Sequence, residues 1–419
     1  MDQSHSPQEE LSRLVDAGLL RRLRTLVPGP HNTVGLEGRS VVNFSSNDYL
    51  GLATSEELKE AMIEGVRRFG VGAGASRLVC GNLPPHVALE EALAQFKSTE
   101  AALAFSSGYA TALGTIPALC GKEDVIILDK LSHASLIDAA KLSGATLRVF
   151  PHNNVERLEQ LLKSTRARHG AALRILVVTE SVFSMDGDLA PLEKIVPLVE
   201  EHDALLLVDE AHAVGVLGPQ GRGLVAALGL EKRVALQMGT LSKAFGVSGG
   251  YLAASRTIID LLINKARSLI YSTAPPPAIA FTARRAVEIA QGEDGGRRRA
   301  RLHGSIEQLG KSLAAHQGAA LAKCRHEPTP FSSAIIPLII GDEHQALEAS
   351  DALLNSGYLI PAIRYPTVAR GTARLRLTLS ALHEPAQVEG LVACLHDLMA
   401  QFTPAAAPAP EEGAGESLA

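Results

Sequence analysis

Lys243 stands in Gly239-Thr240-Leu241-Ser242-Lys243-Ala244-Phe245-Gly246, directly after an apolar run and among small or hydroxylated neighbours. A lysine there that is even partly desolvated loses its charge more readily. It then offers a nucleophilic amine, able to form an imine with a carbonyl and later to act as a general base. Most loop lysines are merely solvated, so the surrounding residues decide. Asp209 ends the apolar run Leu205–Val208, on the side where open α/β sheets bind ligands. A carboxylate at a strand end can simply cap the next turn; beside a heterocyclic nitrogen it favours the protonated, cationic ring. His212 follows three positions on and is able to hydrogen-bond a phenolic oxygen. Ser106-Ser107-Gly108-Tyr109 follows Ala101–Phe105 and opens a helix running to about Leu119. Backbone N–H groups and the helix dipole there favour a phosphate. His133, in Leu131-Ser132-His133-Ala134-Ser135, offers a flat imidazole for stacking on a ring; taken alone it reads as structural.

Together these residues match the separable tasks of a pyridoxal-5′-phosphate (PLP) site. An amine takes the aldehyde, an acid keeps the pyridine nitrogen cationic, a flat group covers the ring and a helix start holds the phosphate. An arginine for a substrate carboxylate completes the set.

Two other motifs compete and fail on context. Gly70-Val71-Gly72-Ala73-Gly74-Ala75 fits a dinucleotide-binding glycine pattern, but the helix-like segment Leu58–Phe69 precedes it where a strand is required. A positive-φ turn is its expected use. Leu205–His212 reads LLLVDEAH, like a Walker B box, yet the one Gly-Lys-Ser, at 310–312, lies downstream in a helical pattern and lacks the preceding glycine. His133 and His212 belong to no clustered ligand set, so no metal is expected.

The elements that must position these residues form a βαβ rhythm. Apolar runs at Ala101–Phe105, Val125–Leu128, Leu147–Phe150, Ile175–Thr179, Leu205–Val208, Ala235–Met238 and Tyr251–Ala254 alternate with helical stretches such as Pro191–Glu200 and Thr257–Leu269. Continuous runs of this length suit strands buried on both faces. The expected fold is therefore α/β: a large domain with a mostly parallel sheet, residues 51–285, and a smaller C-terminal α+β domain, residues 286–402. The second begins at the polar stretch Gly292–Arg299, with strand-like runs at Ser333–Ile340 and Ala373–Leu379. Residues 1–50 form an N-terminal helical segment, with an amphipathic helix over 8–27, and residues 403–419, rich in Pro, Ala, Gly and Glu, form a disordered tail.

Composition excludes some classes. The 419 residues carry a formal net charge of −5, which argues against nucleic-acid or membrane-surface binding. Four separated cysteines (Cys80, Cys120, Cys324, Cys394) read as reduced thiols. Met1–Glu10 has no apolar stretch of a signal peptide and no run reaches bilayer length, so the expected compartment is the cytoplasm.

At family level, several segments carry a resemblance. These are Asn43-Phe44-Ser45-Ser46-Asn47-Asp48-Tyr49-Leu50-Gly51-Leu52, Leu131–Leu136, Thr179–Asp188, Val208–Gly223, the Lys243 loop, Ile270-Tyr271-Ser272-Thr273 and Ala362–Leu379. They resemble the α-oxoamine synthases of PLP fold type I, from about residue 15 to about residue 400. The resemblance implies that Lys243 carries PLP as a Schiff base, Asp209 pairs with the ring nitrogen, His212 contacts the phenolic oxygen and His133 stacks on the ring. It places Ser107, Gly108, Tyr109, Ser184, Thr240 and Ser242 on the cofactor or its phosphate. Thr273 would reach the phosphate across a homodimer, and Asn47 and Glu180 would line the active site, Glu180 near the cofactor. Arg376, or its near alternative Arg374, would bind the amino-acid carboxylate. Arg364 and Arg21, for which Arg22 or Arg24 can substitute, would contact the acyl thioester. The implied reaction condenses L-alanine with pimeloyl-CoA or a pimeloyl carrier protein, with loss of CO2. Members that use glycine or serine, a non-catalytic PLP-fold binding protein and an ATP-driven motor remain as alternatives. Tyr365 stands where proline is expected after Ile363-Arg364, and Glu210 and Ala213-Val214 depart from the commonest form of the Asp209 motif.

Overall fold

The computed structural model describes residues 6–170, 173–315 and 333–399, so the tail expected over 403–419 and Cys324 lie outside the described residues. The strands, in chain order, are β1 Val27–Pro28, β2 Thr33–Leu36, β3 Arg39–Asn43, β4 Ala101–Phe105, β5 Val125–Asp129, β6 Thr146–Phe150 and β7 Ile175–Glu180. They continue with β8 Leu205–Asp209, β9 Leu236–Thr240, β10 Gly250–Ala254, β11 Ile335–Gly341, β12 Tyr358–Leu359, β13 Ala362–Ile363 and β14 Ala373–Thr378.

The larger of two compact units holds residues 47–170, 173–303 and 333–334. Its seven-stranded sheet has the order β4-β10-β9-β8-β7-β5-β6. Neighbours from β9 to β6 run parallel, and β10 is antiparallel to both β4 and β9. Strands β4, β5, β7, β9 and β10 are buried along their whole length. That burial is why their sequences are unbroken apolar runs rather than alternating ones. Ile126, Leu128, Leu176, Val178, Leu207, Leu236 and Leu252 join the helices Gly108–Leu119 and Ala134–Ser143 in one core. The parallel run sends the carboxyl ends of β5, β7, β8 and β9 to one edge. Those ends are Asp129, Glu180, Asp209 and Thr240.

The competing glycine motif is explained here. Helix Glu56–Phe69 starts at Ser55, whose side chain accepts Leu58 N–H, carries Glu56 and Glu57 in its first turn and Arg67 and Arg68 in its last, and stops at Gly70, with φ +80°. Gly74 also has a positive φ, +76°. The Gly310-Lys311-Ser312 triplet lies within helix Glu293–Ala315, not in a phosphate-binding turn.

The smaller unit holds residues 6–46, 304–315 and 335–399. One sheet has the order β1-β2-β3-β12, with β12 parallel to β3; another is β11-β14-β13, antiparallel throughout. These bounds correct four expectations. The first helix is Pro7–Asp16 rather than 8–27, because the chain turns at Gly18 (φ +65°) and Leu19 and Leu20 N–H close back on Leu14 O. Residues 6–46 do not form a separate helical segment, since β3 pairs with β12 and the Phe44 ring stacks on His383 at 4.1 Å. The polar stretch 293–299 is helical: Asp294 and Glu293 pair with Arg297 and Arg298 one turn on, inside helix Glu293–Ala315, while helix Pro277–Gln291 spans the expected boundary at 285/286. The segment expected as one helix over Thr257–Leu269 is two, Arg256–Lys265 and Arg267–Ile270, broken at Ala266. Among the described residues, no helix is long and apolar enough to cross a membrane.

Candidate active site

Lys243 lies on the turn between β9 and β10, and its Nζ sits 2.7 Å from His212 Nε2. The other imidazole nitrogen, Nδ1, is 2.5 Å from the hydroxyl of Tyr49, which donates to Asn47 Oδ1 at 3.3 Å. With the Tyr49 proton directed to Asn47, Nδ1–H donates to the Tyr49 oxygen, and Nε2 is left to accept from the Lys243 amine. The four side chains thus form one directed chain of donors that starts at the amine and ends on Asn47. Tyr49 and His212 are buried. The turn that supplies Asn47 and Tyr49 is fixed by Asp48, whose carboxylate accepts Leu52 N–H at 2.9 Å and Ala53 N–H at 3.0 Å. Gly246 brings the lysine turn against it: a Cβ at 246 would lie 2.4 Å from Ala53 N, and φ is +66°.

Asp209 is buried at the end of β8, and one of its oxygens accepts Ala211 N–H at 2.9 Å. Burial pushes its carboxyl above the ordinary range, while the charge of Lys243 and the Ala211 N–H pull the other way. Glu180 sits directly across from it in register at the end of β7. Its carboxyl is held well above the usual value, first by burial and then by the negative charge of Asp209. Glu180 Oε1 accepts His133 N–H at 2.6 Å. The His133 ring caps helix Ala134–Ser143: Nδ1 accepts Ser135 N–H at 3.2 Å, so in the neutral ring the proton sits on Nε2. Burial, which penalises the charged ring, lowers the His133 pKa; the charge of Asp209 opposes this and that of Lys243 adds to it.

A third cluster lies at the start of helix Gly108–Leu119. Ser107 caps it, accepting Ala110 N–H at 3.1 Å. Gly250 of β10 packs directly beneath, since a Cβ there would lie 2.5 Å from Gly108 N. Thr240 Oγ1 is 2.7 Å from Ser242 Oγ and donates to Gly249 O at 2.9 Å. A Cβ on Gly108 would stand 3.7 Å from Thr240 Cβ, so the two hydroxyls and the helix start adjoin. Tyr109 reaches out to Asp138. Ser184 is half-buried in the turn after β7. Thr273 lies on an exposed turn bridged to Ser76, and among the described residues no hydrogen bond joins it to the Lys243 group.

The candidate substrate arginines belong to the smaller unit. Arg21 Nη2 donates to Thr367 Oγ1 at 3.1 Å, and Arg364 donates to Gly18 O, so these two guanidiniums share one corner. Arg24 instead lies 3.7 Å from Asp351. Arg374 and Arg376 are buried on the central strand β14; Arg376 Nη1 donates to Thr378 Oγ1 at 3.0 Å and Arg374 Nε to Thr372 O at 3.1 Å. The ring of Tyr365 is covered by Arg370 at 4.1 Å. Sequence reasoning missed Tyr49, although the segment containing it was singled out. It also missed the buried pair of Lys97 with Glu210 and the cluster of His152 with Asp129 and Asp188.

Most of the chain resembles proteins that are already known. Residues 39–395 match the profile of the aminotransferase class I and II family. An 8-amino-7-oxononanoate synthase of Geobacter sulfurreducens is 46% identical over 386 residues, 92% of this chain and 96% of that protein. The enzyme of the same name from Anaeromyxobacter dehalogenans is 45% identical, over 94% of this chain and 96% of its own. Among solved structures, a serine palmitoyltransferase variant from S. paucimobilis with PLP and myriocin bound superposes with a TM-score of 0.85 at 31% identity, covering 93% of this chain and 96% of that one. The 8-amino-7-oxononanoate synthase of Francisella tularensis gives a TM-score of 0.72 at 28% identity, covering 85% and 97%. With a profile match over most of its length, relatives near 45% identity and a shared type I fold, the chain belongs to the aminotransferase class I and II family and, within it, to the α-oxoamine synthases.

Proposed function

We propose that this protein is a PLP-dependent acyltransferase that condenses L-alanine with a pimeloyl thioester to give 8-amino-7-oxononanoate, CO2 and the free thiol, a step of biotin biosynthesis. One observation carries the reading: the Lys243 amine is aimed by His212 and Tyr49 beside a buried Asp209, at the carboxyl edge of the parallel strands. The residues present fit the cofactor. Asp209, pushed up by burial, is the carboxylate that a cationic ring nitrogen would satisfy. The start of helix Gly108–Leu119 with Thr240 and Ser242 offers N–H and hydroxyl donors to a phosphate. Lys243 would hold the aldehyde carbon, and His133 would cover the ring.

When bound, PLP supplies an electron sink for the bonds broken at the alanine α-carbon. The protein's own residues do the rest. Lys243, with its amine free once the substrate is seated, would take the α-proton and later return one. His212, held in a single tautomer by Tyr49, keeps that amine oriented. Arg376 grips the alanine carboxylate until it leaves as CO2, and Arg21 and Arg364 meet the acyl thioester. The acyl group moves from sulfur to the α-carbon, and the thiol departs with a proton.

The active species in this reading is a homodimer. Val71, Leu78, Val79 and Tyr271 are 77, 54, 78 and 73% exposed and lie in the segments flanking the Ser76–Thr273 bridge, an apolar surface suited to a second copy. A dimer would let Thr273 reach the phosphate of the neighbouring site.

The test is spectroscopic and chemical. Purified protein given PLP should acquire an absorbance band near the visible that Lys243→Ala lacks, and should form 8-amino-7-oxononanoate from L-alanine and pimeloyl-CoA or the pimeloyl carrier protein. A band that survives Lys243→Ala removes the central assignment. Turnover with glycine or serine in place of alanine reassigns the substrate within the family.

A further inference from the structure

The carboxyl ends of β5, β6 and β7 hold a second charged cluster, outside the groups assigned to the reaction. Asp129 ends β5 with its side chain fully buried. Its Oδ1 accepts Leu131 N–H at 2.8 Å and faces His152 Nδ1 at 3.0 Å, and its Oδ2 accepts Asn153 N–H at 2.9 Å. His152 follows β6 after Pro151, and its Nε2 lies 2.7 Å from Asp188 Oδ2. The imidazole stands edge-on to Phe183, 4.3 Å between centroids. Asn153, in the left-handed region at φ +54°, donates to Asp188 Oδ2 at 2.9 Å and to Leu189 O at 3.2 Å.

Both ring nitrogens face carboxylate oxygens, which favours protons on both and an imidazolium ring, although Asn153 Nδ2 also lies 3.2 Å from Nε2. Burial alone would push its pKa down; hydrogen bonds and charge from Asp129 and Asp188, the charged groups that face it, outweigh this and raise it to about 10.

What the cluster joins gives it a role. Asp129 opens the turn that delivers His133: Ser132 N–H donates to Asp129 O at 3.0 Å, and His133 N–H to Glu180 at 2.6 Å. Asp188 closes the turn that carries Ser184, with Phe183 N–H donating to Asp188 O at 3.1 Å. Two turns from different strands, both assigned to the cofactor, are thus bolted together through one imidazole. We infer that His152 is a positioning residue: clasped by Asp129 and Asp188, it locks the His133 turn to the Ser184 turn and so sets how firmly, and at what tilt, PLP is held. The inference rests on the PLP reading above.

The experiment titrates the apo-protein with PLP at pH 8, following absorbance and the induced circular dichroism of the bound cofactor. It compares the native protein with His152→Gln, Asp188→Asn and the double variant. Each single change should raise the Kd for PLP by about tenfold or more and alter the dichroism, as loss of a charge-assisted hydrogen bond predicts. The double variant should bind no more weakly than the worse single one, because the residues act as a unit. A Kd and dichroism equal to the native protein's, with only the melting temperature lowered, overturns the inference and leaves the PLP reading intact. If His152→Gln does not fold, Asp188→Asn decides alone. A native protein that takes up no PLP overturns the parent reading, and this inference with it.

Discussion

Lys97→Met should destabilise this protein severely, and the structure sets the size of the effect. Lys97 closes helix Pro84–Lys97, and Glu210 follows Asp209 at the end of β8; both side chains are 0% exposed. The Lys97 ammonium donates to Glu210 Oε2 and to Arg222 O, while Glu210 Oε1 accepts Val225 N–H at 2.9 Å. Methionine keeps most of the volume and removes the charge and both hydrogen bonds. A buried carboxylate stripped of its cation costs about 3–5 kcal/mol. In domains of this size each kcal/mol moves Tm by about 2–4 °C, so the expected drop is about 6–20 °C. Lys97→Met/Glu210→Leu removes both charges and should recover more than half of that loss, since an apolar replacement of a buried pair is often neutral. Calorimetry on the purified apo-protein, checked by urea unfolding, reads both. The reasoning fails if Lys97→Met lowers Tm by less than about 2 °C, or if the double variant is no better than the single.

Four further outcomes are expected. Tyr49→Phe deprives His212 Nδ1 of its partner and should cut kcat by about 10–100-fold, the equivalent of about 1–3 kcal/mol; unchanged kcat would dissociate Tyr49 from the lysine. Arg376→Ala should raise KM for alanine with a smaller change in KM for the thioester, and equal effects on both substrates would refute a carboxylate clamp. Gly250→Ala drives a methyl into Gly108 N, so PLP affinity should fall more than stability does, as paired titration and melting curves would show. His383 is held neutral by burial, at about 4. Its contribution is complete above its ordinary value of 6.5 and lost as pH falls to about 4, worth at most about 3 kcal/mol. His383→Gln should therefore flatten the acid limb of the stability profile in that window, and an unaltered slope would count against it.

The sequence reveals the parallel core best, and the reason is local. Strands buried on both faces must be apolar throughout, so β5, β7 and β8 stand out as unbroken runs, and Asp129, Glu180 and Asp209 mark where they reach polar surroundings. Lys243, Asp209 and His212 could be suspected together because their residue types suit one chemistry. Tyr49 could not, since the meaning of its hydroxyl depends on a histidine 163 positions away. His152 was hidden in the same way: its partners come from two other strands, and Pro-His-Asn-Asn reads as an ordinary turn. The stretch 293–299 misleads for another reason. Paired glycines and a run of charges look like a linker, but opposite charges one turn apart make a helix. The pairing of β3 with β12 carries no local mark at all.

That pairing has a consequence for how the protein is made. Val42 finds its neighbour in Tyr358, more than three hundred residues later. At a synthesis rate of about 5–20 residues per second, the amino-terminal hairpin leaves the ribosome on the order of 15–60 s before the strand that covers its edge exists. Throughout that interval β3 offers unpaired peptide groups to any passing chain. Nascent copies on one messenger are therefore prone to mispair through this strand, while the central sheet, encoded between the two, can already be complete.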